Sequence, residues 1–294
     1  MSNIRRLRRR ISSTRNLSQV TRAMQAVSAS KLRKAQHQMQ ASRAYTVWLH
    51  RILENLGKSG AAFAGQLPLL ASPEKVDHVL GILFTSDRGL CGSYNQNIIH
   101  KTIIFARQQV EQGRQIHFIT IGQKGPEALS SFGYDLVGHF DMPRTNPSYG
   151  QAQELAHMAM DAFVEDKYQE VWLMYTHFEN ALTQHSRVQR YLPIGVAAAQ
   201  ENAIDFIFEP SLSSVLEDFL LRALEMELYQ AWMESETSEH AARMVSMENA
   251  TRNADNLVEE LTLRYNKARQ QGITREILDI AGGAEALRRA REQP

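Results

Sequence analysis

The segment Thr85-Ser-Asp-Arg-Gly-Leu-Cys-Gly-Ser-Tyr-Asn95 gathers a carboxylate, a guanidinium, a thiol, hydroxyls and two glycines. It lies between an apolar run and an amphipathic one. At such a strand-to-helix turn, backbone N–H groups and the helix dipole can hold a phosphate. The segment lacks the Gly-Lys-Ser/Thr ending of a phosphate loop, however, and does not fit Gly-x-Gly-x-x-Gly. Gly122-Gln-Lys-Gly125 is a second turn of this kind and is equally incomplete. Both read first as tight turns that seat a helix on a sheet. An α/β enzyme working through the 87–95 turn is the alternative. A nucleophilic Cys91 would need a base and an orienting group. His78 and His100 are near it only in sequence, so a buried small residue is the simpler reading. The ten histidines show neither His-x-x-x-His nor His-Glu-x-x-His spacing, and no metal site is expected. No catalytic or cofactor-binding residue is assigned.

The elements that position these turns follow from the helix breakers. Thirteen of the 16 glycines lie between Gly57 and Gly195, and seven of the 8 prolines between Pro68 and Pro210. Residues 1–56 and 211–271 contain neither. The 294-residue chain therefore divides into a first arm (1–56), a linker (57–74), a punctuated middle (75–210) and a last arm (211–294). At about 1.5 Å per residue each arm is long enough for one extended helix. Two such arms suggest an antiparallel helical pair with the middle inserted between them. Apolar steps of three and four support a seam through Ile4, Leu7, Ile11, Leu17, Val20, Met24 and Val27. In the last arm the stripe runs through Met244, Met247, Leu257, Leu261, Ala268, Ile273, Ile277 and Ile280. Equal rise in both arms places Met24 level with Met244–Met247, and Trp48 level with Met226.

The middle alternates. His78–Thr85, Ile116–Ile121 and Val171–Thr176 read as buried strands, with Tyr134–Phe140, Arg187–Leu192 and Phe206–Phe208 as weaker candidates. Asn95–Gln112, Gly125–Phe132 and Gln151–Asp166 read as helices. This order predicts an α/β layer with mostly parallel pairing.

Charge is uneven although the net is only +1. Residues 1–56 carry 12 Lys or Arg against the single acid Glu54, and residues 201–239 carry 10 acids against the single base Arg222. These are either two solvated faces or a basic arm that leans partly on the acidic stretch and otherwise faces an acidic partner. A basic helical nucleic-acid binder is the other possibility. Against it, residues 1–44 contain no aromatic side chain for base stacking. The Arg5–Arg10 run also invites a transit-peptide reading, but the apolar stripe begins at Ile4 and runs on into the main helix. No apolar run approaches the roughly 18 residues of a membrane helix. One cysteine excludes an internal disulfide.

Three segments carry a family resemblance. They are Arg10-Ile-Ser-Ser-Thr-Arg-Asn-Leu-Ser-Gln-Val-Thr-Arg-Ala-Met24 with Ser28–Lys34, then Ser86–Gly92, then Ala241-Ala-Arg-Met-Val-Ser-Met247 through Thr251 with Tyr265–Gln270 and Ile273-Thr274. In order and spacing the chain resembles the gamma subunits of rotary F-type ATP synthases over nearly its whole length. The resemblance implies an antiparallel two-helix coiled coil from both termini with an inserted Rossmann-like α/β domain. It implies a non-catalytic rotor without cofactor, turning inside a ring of alpha and beta subunits and resting on the epsilon subunit and the c-ring. It also implies a peripheral place on the cytoplasmic face of a bacterial plasma membrane. Residue by residue, Met24 and Arg243 match positions facing the beta-subunit lever. Arg269 and Gln270 match positions contacting a beta-subunit loop near the upper shaft, with Thr274 beside them. Ser93-Tyr94, Gly272 and the dense opening arginines depart from the family pattern. They suggest a divergent bacterial branch, with an alternate ATPase among the options.

Overall fold

A computed structural model describes residues 2–61, 68–71, 73–143, 147–194 and 212–292, with side chains for 4–41, 68–143 except 72, 147–194 and 216–284. The chain divides into two compact units, Ser28–Val245 and the combination of Met1–Val27 with Ser246–Pro294. Two helices contribute to both, α1 (Ser2–Ala61) and α5 (Leu212–Glu292). Helix α1 runs on through Gly57 and Gly60 to Ala61, past the linker boundary expected at 57. Each glycine costs a helix about 1 kcal/mol, which lowers helix stability without ending it. Residues 62–67 and 72 of the expected linker, and the strand expected at Phe206–Phe208, lie outside the described residues.

The larger unit contains β1 (His78–Phe84), α2 (Tyr94–Glu111), β2 (Gln115–Ile121), α3 (Lys124–Ser131), β3 (Asp135–Phe140), α4 (Tyr149–Val164), β4 (Glu170–Phe178) and β5 (Gln184–Leu192). The five strands form one sheet in the order β3-β2-β1-β4-β5. Four run parallel, and β5 pairs antiparallel with β4. The order reverses direction at β1, because α2 and α3 lead the chain outward to one side and α4 returns it to the other.

Alternation along β1 supplies two cores. Leu80, Ile82 and Phe84 pack with α4 residues Leu155, Ala156 and Met160 and with α5 residues Leu224, Leu228 and Trp232. Val79 and Leu83 face the opposite cluster with Ile98 and Ala106 of α2, Phe118 and Leu129. Between them Gly81 leaves room for the Phe118 ring, which a Cβ at that position would meet at 2.7 Å. Helix α4 is opened by Ser148, whose hydroxyl accepts from the Gln151 N–H while the Gln151 side chain accepts from the Ser148 N–H. This reciprocal pair satisfies donors that a helix start leaves open.

In the smaller unit α1 and α5 run antiparallel. The Ser18 hydroxyl donates to Asp255 at 2.6 Å, the Thr21 and Thr251 hydroxyls meet at 2.7 Å, and Gly272 faces Ile4. That register brings Met24 level with Met247 and Glu248, at the edge of the range expected. The side chain of Trp48 lies outside the described residues. The seam itself differs from expectation. Ser18 and Thr21 are buried, whereas Leu17, Val20 and Val27 are more than half exposed. On the other helix Met247, Thr251, Ala254 and Leu261 are buried, while Ile273, Ile277 and Ile280 are exposed. Small hydroxyl side chains let two helices approach closely and bond across the contact, beside Met247 and Leu261, while Leu17, Val20 and Val27 are turned outward.

Candidate functional site

The crevice beyond the end of β1, where the strand order reverses, is the place where open α/β sheets bind ligands. Here its wall is the 85–93 turn. Asn95, on the first turn of α2, organises that turn. Its Oδ1 accepts from the Ser86 N–H at 3.0 Å, and its Nδ2 donates to Ser86 Oγ at 2.7 Å and Cys91 Sγ at 3.3 Å. Ser86 Oγ donates to the Arg88 carbonyl at 2.8 Å. Leu90 and Gly92 adopt positive φ, 65° and 59°. Leu90 accepts this left-handed conformation without glycine's freedom, and its side chain is 61 % exposed. Cys91 is buried, as the sequence reading held.

Donors that could have cradled a phosphate are already engaged. The Lys124 N–H donates to the Ser86 carbonyl at 3.1 Å and the Gly125 N–H to Thr85 Oγ1 at 2.9 Å. Gly122 has φ +81°, and a Cβ there would sit 2.3 Å from the Thr85 carbonyl oxygen. The glycine serves the close approach of the two turns to each other.

Helix α5 packs against this end of the sheet. Tyr94 OH and Ser235 Oγ meet at 2.7 Å, and Ser238 Oγ donates to the Thr176 carbonyl at 3.1 Å. Burial pushes the Tyr94 hydroxyl well above its ordinary range, with Glu239 adding to the effect. Arg243 pairs with Glu239 and donates to the carbonyls of Arg88 at 3.2 Å and Gly89 at 3.4 Å. An arginine expected at a partner contact is thus engaged by its own chain, with its side chain 13 % exposed.

The acidic stretch is spent the same way. Glu225 bonds Tyr149, Gln153 and His157, Glu234 bonds His177 at 2.6 Å, and Glu227 accepts from Gln189 at 2.7 Å. Burial favours a raised pKa at Glu225, but the bonds from Tyr149, His157 and Gln153 outweigh it and hold the carboxyl below its usual range. Glu227 has only Gln189 to offset burial, and its pKa is pushed up to about 7. Burial raises Glu236 also, against the attraction of His240 and Lys31. Between the basic arm and these acids, then, Lys31 faces Glu236, and in the smaller unit Arg22 pairs with Asp255 at 3.0 Å.

The other expected contact residues all fall in the smaller unit. Met24 is half-buried, while Arg269, Gln270 and Thr274 are exposed. On the same helices Leu17, Val20, Val27, Leu263, Ile273, Ile277, Leu278 and Ile280 also stand exposed. Sequence reasoning missed Asn95 and the Glu225 cluster. Gln153 and His157, four residues apart on the expected helix, were a partial signal, whereas Tyr149 lies two residues before its expected start. Their acceptor, some seventy residues further on, was not legible.

The ATP synthase family model matches residues 3–287. The chain is 39% identical over 288 residues to the ATP synthase gamma chain of Moorella thermoacetica, covering 98% of this chain and 100% of that one. It is 38% identical over 288 residues to the ATP synthase gamma chain of Chloroflexus aurantiacus, covering 98% and 99%. Among solved structures it is similar to a central-stalk chain of the Tetrahymena thermophila mitochondrial ATP synthase, at TM-score 0.61 and 25% identity, covering 79% of this chain and 99% of that one. A chain of the Euglena gracilis mitochondrial ATP synthase shares the fold at TM-score 0.69 and 18% identity, covering 100% and 97%. Among the described residues no helix is long and apolar enough to cross a membrane.

Proposed function

Because the chain belongs to the ATP synthase gamma family, we propose that it is the central-stalk rotor of an F-type ATP synthase and performs no bond chemistry of its own. The observation that supports the non-catalytic reading is the engagement of the turn donors by the chain itself. Ser235, Ser238 and Arg243 of α5 occupy the end of the sheet where an α/β enzyme would bind its ligand, and the turn donors bond within the chain.

In this reading the two terminal helices pair as an antiparallel coiled coil, the shaft, and the α/β domain inserted between them in the sequence, the foot, is Rossmann-like. The shaft turns inside a ring of alpha and beta subunits, and the foot rests on the epsilon subunit and the c-ring. Ion flow turns the ring, and the asymmetric shaft drives each beta subunit through its states. The complex sits on the cytoplasmic face of a bacterial plasma membrane, with this chain peripheral.

Met24, Arg269, Gln270 and Thr274 meet the beta subunits. Arg269 can make forked, charge-assisted bonds to a carboxylate, and Gln270 can donate and accept. Such contacts form and release without the cost of separating a large apolar face. Arg243 contributes by holding the Arg88–Gly89 backbone at the beta-facing level. Co-purification from membranes tests this reading: the tagged chain brings alpha, beta and epsilon subunits with it and binds no ATP or NAD by itself in calorimetric titration. Micromolar nucleotide binding by the free chain, without ATPase subunits in the purified material, would refute it and restore the enzyme reading.

A further inference from the structure

We propose that the Glu225 carboxylate, held by Tyr149, Gln153 and His157, is the clamp through which torque passes from α4 of the α/β domain into α5. This rests on the rotor reading above.

Glu225 lies on α5 with its side chain only 3 % exposed. Three side chains of α4, one helical turn apart, converge on it. Tyr149 OH donates to Oε2 at 2.5 Å, Gln153 Nε2 donates to Oε1 at 2.9 Å, and His157 Nε2 lies 2.7 Å from Oε1. Both carboxylate oxygens are thereby engaged from a single partner helix.

Helix α4 buries Ala152, Leu155, Ala156, Ala159, Met160 and Phe163 in the core it shares with α5. The attraction between these apolar side chains is non-directional. Hydrogen bonds to an ionised acceptor are directional. With the carboxylate buried, water does not replace them as they stretch, and an unpaired buried charge is strongly unfavourable. Sliding or rolling α4 against α5 strains all three bonds together. The cluster therefore supplies shear stiffness where the apolar core supplies adhesion.

The donors are accessible for substitution, since Tyr149 and the His157 side chain are 38 % and 46 % exposed. The test uses the whole complex in vesicles, with Glu225→Gln and the paired Tyr149→Phe, His157→Ala variant. ATP-driven ion uptake per ATP hydrolysed is followed as the opposing gradient builds. Both variants are expected to hydrolyse ATP at the wild-type rate as detached soluble alpha–beta–gamma complexes, where the foot carries no load. In vesicles, uptake per ATP starts at the wild-type value and falls severalfold as the gradient steepens. A role confined to folding would lower the amount of assembled complex and leave that load dependence unchanged. Uptake per ATP that follows wild type at every gradient overturns the clamp. So does failure of both variants to assemble, which would make the cluster a folding element. Failure of the wild-type chain to couple hydrolysis to uptake would instead overturn the rotor reading itself.

Discussion

The α/β unit and the helix pair bury different mixtures of side chain. In the α/β unit Leu80, Ile82, Phe84, Leu155 and Leu173 are fully buried. In the helix pair Ser18, Thr21, Thr251 and Ala254 are buried beside Met247 and Leu261, while Leu17, Val20, Val27, Ile277 and Ile280 are exposed. The first arrangement is a self-sufficient core. The second leaves large apolar side chains exposed at separate levels along the two helices. The α/β unit is thus held mainly by apolar burial, and the helix pair by a mixture of hydroxyl bonds and apolar contacts.

The contrast breaks most readily at the turn of the α/β unit. Gly122→Ala forces a Cβ into the Thr85 carbonyl at positive φ and is expected to cost about 3 kcal/mol or more in a denaturation midpoint. Leu173→Ala, in the fully buried core, should cost about 2–5 kcal/mol. A helix-pair substitution of equal cost would erase the distinction.

The seam offers a subtler comparison. Thr21 Oγ1 reaches the Ser18 carbonyl, Thr251 Oγ1 reaches the Met247 carbonyl, and the two hydroxyls also meet. Two hydrogens serve three positions. Thr21→Val alone should destabilise the chain by about 1 kcal/mol, because it removes the bond across the seam while Thr251 keeps the Met247 carbonyl, and the double Thr21→Val, Thr251→Val variant by little more, because the bond across the seam is already lost. Additive losses in thermal melts would show that the hydroxyls act independently.

A pH series sharpens the α/β side. The folded pKa of Glu227 is raised by burial from 4.5 to about 7. A group raised in this way contributes its full stability below the unfolded value and loses it as pH rises through the folded one. Wild-type stability should therefore fall between about pH 5 and 8 by roughly 1–2 kcal/mol more than that of Glu227→Gln. Parallel curves for the two proteins would remove Glu227 from the account.

The smallest stability effects belong to the helix pair. A Cβ on Gly272 would meet Ile4 Cδ1 at 3.6 Å, an ordinary contact. Gly272→Ala should therefore stabilise the chain by about 0.5–1 kcal/mol. Arg269→Ala with Gln270→Ala removes two exposed side chains and should leave the melting curve within about 0.5 kcal/mol of wild type. The same pair is expected to lower ATP turnover of the assembled complex substantially. Unchanged turnover would return both residues to a solvated helix surface.

Local pattern in the sequence determined the order of elements. Strands at 78–84, 115–121 and 170–178 and helices at 94–111, 124–131 and 149–164 fall within a few residues of the apolar runs that announce them, because alternation and helical period are written in neighbouring residues. The absence of glycine and proline likewise marked the two long helices. Which face of a helix turns inward was not written there. Shifting the buried stripe from Leu17 and Val20 to Ser18 and Thr21 rotates a helix by about 100°, and hydroxyl residues carry no apolar signal to reveal the choice. Only the approach of Asp255 and Thr251 decides it. The same holds for the fate of the charges. An acid at 225 reads as solvated until Tyr149, Gln153 and His157 surround it, and Arg243 reads as a free cation until the Arg88 and Gly89 carbonyls meet it. These pairings join residues 68 to 155 positions apart. At such separations local pattern carries no information, and the stability of each bond depends on burial that the tertiary structure creates.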